Sequence, residues 1–127
     1  MDMKLELVPI PVADVERARA FYVEQVGFHL DHDVQPGNGM RVVQLTPPGS
    51  ACSIVIGTGM GEISTMTPGT VKGLHLVVAD IQAARAALAG RGVVASEVEE
   101  YPGGIKYSYF SDPDGNSWAL QEIPPGV

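Results

Sequence analysis

A nine-residue motif occurs twice in this 127-residue chain, and it constrains the fold more than any other feature of the sequence. Residues 12–20 read V-A-D-V-E-R-A-R-A, and residues 78–86 read V-A-D-I-Q-A-A-R-A. Six of the nine positions are identical, at an offset of 66 residues, which is close to half of the chain. A repeat of this length predicts two copies of one supersecondary unit.

Each copy of the motif joins a predicted strand to a predicted helix. A run rich in Leu, Val and Ile precedes each copy, as expected of a buried strand. Asp14 and Asp80 then stand at helix N-caps, where a carboxylate accepts free backbone N–H groups of the first turn. Gly27 predicts the end of the first helix, and the glycines at residues 90 and 92 predict the end of the second.

Three short strand-like runs follow each helix, separated by turn sequences rich in Pro and Gly. The clearest turn is the Asp-Pro-Asp-Gly of residues 112–115, which has the residues that a type I turn favours. The element order is therefore β-α-β-β-β twice, which is an α+β fold. The predicted strands lie at residues 5–12, 28–34, 40–46 and 51–56, and at residues 74–78, 94–101, 105–110 and 118–123.

We interpret residues 1–127 as one domain of two modules, at 1–56 and 71–127, with a Gly/Thr/Met-rich linker at 57–70. A formal net charge of −7 disfavours a nucleic-acid partner, because such binding needs a basic surface. A single cysteine excludes an internal disulfide and a cysteine-based zinc site. No leader and no apolar run of membrane-spanning length is visible, so we expect a cytoplasmic protein with no membrane partner.

These modules resemble the glyoxalase/bleomycin resistance protein/extradiol dioxygenase family, the vicinal oxygen chelate (VOC) superfamily. The resemblance rests on V-A-D-V at residues 12–15, A-F-Y at 20–22 and G-F at 27–28. In the second half it rests on L-V-V-A-D at 76–80 and F-S-D-P-D-G-N at 110–116. It implies a curved eight-stranded mixed sheet around a cavity, a small-molecule ligand and a homodimer, with the modules paired within one chain or between chains.

Many members of this family hold a divalent metal in the cavity through His and Glu side chains. Carried over position by position, the four ligand positions fall on Leu7, on residues 53–55, on Gly73 and on Ala119. None of them has an imidazole or a carboxylate, and a divalent cation needs about three such ligands. We therefore expect neither the family's metal nor any other cofactor, with a divalent metal at another place as the alternative.

His75 and Gln121 are the candidate polar groups of the cavity. They lie two residues beyond Gly73 and Ala119, so strand alternation predicts that they share the same face. We expect these four residues and Leu7 to form the ligand site. His75 is also the candidate catalytic residue, because a cavity histidine can act as a general base near neutral pH.

Three further groups remain open at this point. Tyr107 and Tyr109 alternate with their neighbours on the seventh strand, and the sequence does not show which pair lines the cavity. Arg41 and Lys106 are the cations that could bind an anionic ligand, and the alternative is that both are simply solvated.

A regular strand would place the side chains at 29, 31 and 33 (His, Asp and Asp) on one face. That face offers either relocated metal ligands or a solvated surface. The same alternation predicts a semi-buried His32 on the other face.

Two functions are compatible with the sequence. The first is a metal-free binding protein for a small apolar or aromatic molecule, held in a mostly apolar cavity with a few polar groups. The second is an enzyme of the same family, a lyase, isomerase or dioxygenase, which acts without a metal through His75 or with relocated metal ligands.

Overall fold

The computed structural model describes residues 1–126 and confirms two βαβββ modules. The first module contains β1 (Leu7–Pro9), α1 (Val15–Ala20), β2 (His29–Gly37), β3 (Met40–Thr46) and β4 (Ser53–Thr58). A π-helix (Phe21–Val26) continues α1, and a 3₁₀ helix (Gly61–Thr65) lies between the modules. The second module contains β5 (Leu74–Val77), α2 (Ile81–Ala89), β6 (Glu99–Glu100), β7 (Lys106–Ser111) and β8 (Ser117–Glu122).

The eight strands form two four-stranded mixed sheets. The first sheet has the order β1-β4-β3-β2, and the second has the order β5-β8-β7-β6. In each sheet the first strand is parallel to its neighbour and the remaining pairs are antiparallel. The α+β class is confirmed, and within one chain the strands are divided between two sheets. As a result, β1 and β5 each lie at the edge of a sheet.

One apolar core joins the two sheets through the helices. Phe21 and Tyr22 of the π-helix contact aromatic rings of β7 and β8, with ring centroids 6.5 Å apart for Phe21–Phe110 and 5.8 Å apart for Tyr22–Trp118. We call the core-facing side of each sheet its inner face and the opposite side its outer face. The strand residues in the core are Val43, Leu45, Ile54, Ile56, Phe110, Trp118 and Leu120.

Both predicted N-caps are confirmed. An Asp14 carboxylate oxygen accepts the Arg17 backbone N–H at 3.1 Å, and Asp80 accepts the Ala83 N–H at the same distance. The first helical segment ends at Gly27, whose φ of 92° lies in the left-handed region that favours glycine.

The turn at residues 112–115 ties the second module to the first. Asp112 is buried, and its carboxylate accepts the Tyr22 hydroxyl at 2.8 Å. Asn116 donates to the Pro11 carbonyl at 2.8 Å, and the Trp118 indole N–H donates to the Tyr22 hydroxyl at 3.0 Å. Burial and the neighbouring Asp112 carboxylate raise the pKa of Tyr22, so this hydroxyl stays protonated and can donate.

Two predicted strands are much shorter than expected. Of residues 5–12, only the three residues of β1 form a strand. Residues 94–101 form only the two-residue β6, although Val93 and Ala95 beside it are buried. The Ser96 hydroxyl accepts the Tyr109 backbone N–H at 2.9 Å, and the Ser108 hydroxyl donates to the Ser96 carbonyl at 2.5 Å. The Ser96 N–H also donates to the Tyr109 carbonyl at 2.8 Å, but the Tyr109 N–H is bonded to a side chain, so a regular ladder does not continue there.

Candidate functional site

The structure places His75, Ala119 and Gln121 on the outer face of the second sheet. His75 pairs with Ala119, and the next alternating pair is Val77 with Gln121. The residues between them, such as Trp118 and Leu120, belong to the core on the inner face. Alternation along β5 and β8 therefore brings together three of the five predicted site residues.

Tyrosines surround these residues on the same face. Tyr107 pairs with Gln121 and Tyr109 pairs with Ala119 across the β7–β8 ladder. The two tyrosine rings are parallel, with centroids 6.3 Å apart, and Tyr101 and His75 meet the Tyr107 ring edge-on at 5.4 Å and 5.7 Å. We call Tyr101, Tyr107, Tyr109 and His75 the tyrosine cluster. The structure thus shows which β7 pair shares a face with His75.

Hydrogen bonds fix the polar groups of this cluster. The Gln121 side-chain amide donates to the Tyr107 hydroxyl at 2.9 Å. His75 Nδ1 lies 2.6 Å from the Gly73 carbonyl oxygen. Because a carbonyl only accepts, Nδ1 carries the proton, and in the neutral form of the ring the lone pair lies at Nε2. The nearby Glu99 carboxylate raises the pKa of Tyr101, so its hydroxyl stays neutral over a wide pH range.

The outer face of the first sheet has a different chemistry. Its residues include Leu7, which pairs with Ser53 across β1 and β4. The Ser53 and Thr46 hydroxyls lie 2.6 Å apart, Thr46 also donates to the Asp31 carboxylate, and the Gln44 amide lies 3.4 Å from Ser53. We call Asp31, Gln44, Thr46 and Ser53 the polar network.

The expected cavity floor is not assembled within one chain. Leu7 lies in the first sheet, whereas Gly73 and Ala119 lie beside or in the second. The helices and the shared core occupy the space between the inner faces, so the outer faces point away from each other. The predicted grouping of Leu7 with Gly73 and Ala119 is therefore not found in the single chain.

A well-defined cavity lies elsewhere, at the seam between the modules. It has a volume of about 470 Å³. Its walls come from the π-helix end, the β3–β4 turn, β5 and α2. Of the five predicted site residues, only His75 lines this seam cavity.

The two candidate cations are already paired. Arg41 binds the Asp33 carboxylate through two nitrogens at 3.0 Å and 2.8 Å and also contacts Glu16. Lys106 lies 3.5 Å from a Glu122 oxygen. Arg41 therefore serves to join β3 to β2 and α1 on the inner side of the first sheet.

Comparison with known proteins identifies the family of this chain. The model of the Glyoxalase/Bleomycin resistance protein/Dioxygenase superfamily matches residues 4–120. The chain belongs to this superfamily. A search of curated proteins finds no significant match. No helix in the described part of the chain is long and apolar enough to cross a membrane.

Three solved structures of this superfamily or fold are similar over nearly their whole length. TnmS3, an antibiotic binding protein from Streptomyces sp. CB03234, is 37% identical, with a TM-score of 0.79 over 97% of this chain and 98% of that one. A glyoxalase/bleomycin resistance protein from the same organism is 41% identical, with a TM-score of 0.76 over 92% and 98%. A superfamily member from Sphaerobacter thermophilus DSM 20745 is 34% identical, with a TM-score of 0.81 over 95% and 98%.

The residues at the superfamily's metal positions do not fit a divalent cation. Leu7, Gly73 and Ala119 have no donor side chain, and Ser53 has only a hydroxyl that is bonded to Thr46. Across residues 1–126, no three or more His, Cys, Asp or Glu side chains are grouped so that they could hold a metal ion.

A β-bulge in β2 separates Asp33 from the predicted face of His29, Asp31 and Asp33, whereas His29 Nε2 still lies 3.7 Å from an Asp31 oxygen. Leu30 pairs with Leu45 and His32 with Gln44, so Asp31 is an extra residue between them. Alternation restarts after it, and Asp33 turns to the inner side, where it binds Arg41. The expectation of a semi-buried His32 is wrong for the same reason, because this residue is exposed.

Proposed function

We propose that this protein binds a small, flat, largely apolar molecule and does so without a metal. The observation that carries the proposal is the tyrosine cluster, which presents aromatic rings beside the buried methyl group of Ala119. Tyr101 and Tyr109 are exposed in the single chain. Aromatic side chains with a few fixed polar groups are typical of small-molecule sites. The similarity to TnmS3, an antibiotic binding protein, supports the same class of ligand.

The fixed polar groups define what the ligand carries. With its Nδ1 proton bound to the Gly73 carbonyl, neutral His75 accepts a hydrogen bond at Nε2. The Tyr107 hydroxyl accepts from Gln121 and keeps its own proton to donate. A flat ligand with a hydroxyl and a carbonyl would satisfy both groups.

We propose further that a homodimer completes the site. β1 and β5 each have a free edge within residues 1–126, and free edges favour pairing with another chain. Leu5 and Leu7 before and in β1, and Val77 in β5, are apolar and exposed. A two-fold dimer that joins β1 of one copy to β5 of the other would cover these residues.

Such a dimer gives the ligand two chemically different walls. The tyrosine cluster of one copy would face the polar network of the other. Asp31 and Ser53 in that network accept or donate hydrogen bonds, and the tyrosine rings supply apolar contact. This arrangement would also join the two sheets into the eight-stranded sheet that the superfamily implies.

The proposal is tested with 2-naphthol, a flat aromatic molecule with one hydroxyl, by isothermal titration calorimetry. His75→Ala and Tyr109→Ala should each weaken binding by about 1–3 kcal/mol, through loss of a polar partner or of ring contact. Val94→Ala, at an exposed valine outside the cluster, serves as the control and should not change the affinity.

The same titration tests independence from metal. Protein treated with EDTA should bind 2-naphthol as tightly as untreated protein, because the cluster contains no metal ligand set. The proposal is overturned if both cluster variants keep the original affinity, or if EDTA abolishes binding and an added divalent metal restores it.

One observation favours an enzyme as the second candidate. The lone pair at His75 Nε2 is free to take a proton, and the ring is held in place by the Gly73 carbonyl and the Tyr107 ring. A general base needs this kind of fixed orientation. In an enzyme, His75→Ala would abolish turnover and leave ligand affinity nearly intact, whereas a binding protein would lose affinity.

A further inference from the structure

We propose that the flat ligand carries a protonated amine, and that the Asp31 carboxylate of the polar network binds this amine. The inference rests on the proposed function and deepens it, because it names the charged group that the ligand bears. The position of Asp31 in β2, the hydrogen bonds of the polar network and the charges of the two outer faces each support the assignment.

The β-bulge in β2 sets the position of Asp31. Asp31 is the extra residue at the register shift between residues 30 and 32. A bulge re-aims a side chain, and bulges are frequent beside functional sites. The residue as a whole is exposed, but its side chain is only 23% exposed, because it bonds to Thr46 and Gln44 of β3 on the outer face. The carboxylate therefore has a fixed orientation.

The hydrogen-bond donors of the polar network are all used inside it. The Thr46 hydroxyl donates to Oδ2 of Asp31, so the Ser53 hydroxyl is the donor in its 2.6 Å contact with Thr46. The Gln44 amide donates to Asp31 Oδ2 at 3.3 Å and to the Ser53 hydroxyl at 3.4 Å. Within residues 1–126, Asp31 Oδ1 accepts no hydrogen bond. The network therefore offers the ligand an acceptor, which matches an N–H donor.

The charges of the two outer faces favour a cation. Of the eight Lys and Arg residues of the chain, only Arg41 and Lys106 lie in the described strands, and both pair with acidic side chains on the inner side. The outer faces hold two carboxylates instead. These are Asp31 in the first sheet and Glu99 in the second, where Glu99 pairs with Tyr107. The charges on both faces therefore attract a positive group.

The proposed dimer supplies no lysine or arginine for Asp31. Within residues 1–126, the one basic group within 4 Å of its carboxylate is His29, whose Nε2 lies 3.7 Å away on a ring that is 74% exposed. The tyrosine cluster of the other copy would cover the carboxylate, and a carboxylate that is covered without a cation is costly. Aromatic rings also attract a cation over their faces. A protonated amine between the carboxylate and the tyrosine rings satisfies both walls.

The experiment compares 2-naphthylmethylamine with 2-naphthylmethanol, which has the same rings and a neutral hydroxyl in place of the ammonium group. Each is titrated into the full-length protein by calorimetry at neutral pH. The amine should bind at least about tenfold more tightly than the alcohol, since it adds one charge-assisted hydrogen bond. Asp31→Asn should remove this preference and leave the affinities for the alcohol and for 2-naphthol unchanged.

Two control variants separate the charge of Asp31 from other effects. Glu24→Gln removes one negative charge from an exposed position of the π-helix, and it should keep the preference for the amine. Tyr109→Ala should weaken binding of the amine and of the alcohol, because both lose ring contact. Asparagine has the size of aspartate and also accepts hydrogen bonds, so Asp31→Asn should keep the wild-type urea midpoint.

NMR chemical-shift changes give a second test that needs no variant. The amine should shift the backbone signals of residues 31, 46 and 53 of the polar network, and the alcohol should shift them less. Binding of the amine without these shifts would overturn the inference, even if Asp31→Asn did not fold.

The calorimetric outcomes distinguish this inference from the proposed function. If 2-naphthol binds but the wild type does not prefer the amine, or if Asp31→Asn keeps the preference, the inference is overturned and the proposed function stands. If none of the three naphthalene compounds binds, both are overturned. If Asp31→Asn removes the preference while His75→Ala and Tyr109→Ala bind like the wild type, the amine site is supported and the role of the tyrosine cluster is overturned.

Discussion

Asp112 joins the two modules through a buried hydrogen bond with Tyr22. One carboxylate oxygen accepts the Tyr22 hydroxyl and the Asn116 amide, each at 2.8 Å. The other accepts the backbone N–H groups of Asp114 and Asn116, each at 2.9 Å. A buried carboxylate is stable only with such complete pairing, so this side chain stabilises the turn and the module contact together.

We predict that Asp112→Ala lowers the free energy of unfolding by about 3 kcal/mol or more. The substitution leaves several buried donors unpaired, and each costs about 1–3 kcal/mol. Urea denaturation measures the change, and Asp2→Ala, at an exposed position, is the control. A loss below about 1 kcal/mol would mean that water or another acceptor replaces the carboxylate.

The Asp33–Arg41 pair gives the protein a defined acid sensitivity. Hydrogen bonds from Arg41 lower the pKa of Asp33 below its ordinary value. The ionised carboxylate therefore favours the folded state, and its contribution is fully present above the unfolded-state pKa of about 3.9. It is lost as the pH falls through the lower pKa of the folded state.

We predict that Asp33→Asn lowers the free energy of unfolding at pH 7 and makes it less dependent on pH below about 4. Urea midpoints from pH 7 to pH 2.5 would measure this, with Asp2→Asn as the matched exposed control. Parallel pH profiles for Asp33→Asn and the wild type would contradict the assignment.

At the scale of elements, the caps of the two helices depend on residues close in sequence, whereas the bulge in β2 depends on a neighbouring strand. Each cap spans three residues, from Asp14 to Arg17 and from Asp80 to Ala83. An aspartate directly before the first helical residue is enough to form it. The bulge at Asp31 depends on the neighbouring strand, because its register is set by how β2 pairs with β3.

We predict that Asp80→Ala lowers the free energy of unfolding by about 1 kcal/mol, whereas Asp80→Asn changes it little, because Asn is also a good N-cap. α2 has a second contact at its start, where the Ile81 N–H donates to the Glu122 carboxylate at 2.8 Å. Urea denaturation of both variants checks the prediction. Equal losses for Ala and Asn would show that the charge of Asp80, not its cap bond, matters.

At the scale of the whole molecule, the single chain has a larger accessible surface than a compact monomer of the same mass. Its accessible surface is 7318 Å², against roughly 6,500 Å² for a compact monomer of 13.4 kDa. The excess is consistent with two sheets whose outer faces are uncovered in the single chain. It supports the proposed homodimer.

We predict a dimer at micromolar concentration in sedimentation velocity, and dissociation to the 13.4 kDa monomer in Val77→Lys. Val77 lies on β5 and is 66% exposed in the single chain, so a lysine there would place a charge in the proposed interface. Val94→Lys is the matched control, because Val94 is 88% exposed and lies away from β5. A wild-type monomer, or a dimeric Val77→Lys, would refute the proposed dimer.

The site was predictable only in part. Alternation along β5 and β8 predicted the common face of His75, Ala119 and Gln121, because two-residue periodicity is a property of the strand itself. Tyr107 and Tyr109 lie on the same face because they pair with Gln121 and Ala119 of β8. The sequence of one strand does not show its register with a neighbouring strand. Tyr101 was missed, because it lies outside the regular strands and only its ring contact with Tyr107 brings it to the site.

The sequence by itself determined the order of elements, both helix N-caps and the place of the final turn, which the Gly115 N–H closes by donating to the Asp112 carbonyl. Each depends on contacts between residues close along the chain, so the local residue types suffice. Only the tertiary structure decided which face of each sheet packs in the core and which is exposed. It also turned Asp33 inward after the bulge and placed Leu7 and Ala119 in different sheets. These outcomes depend on packing between distant segments, which periodicity does not encode.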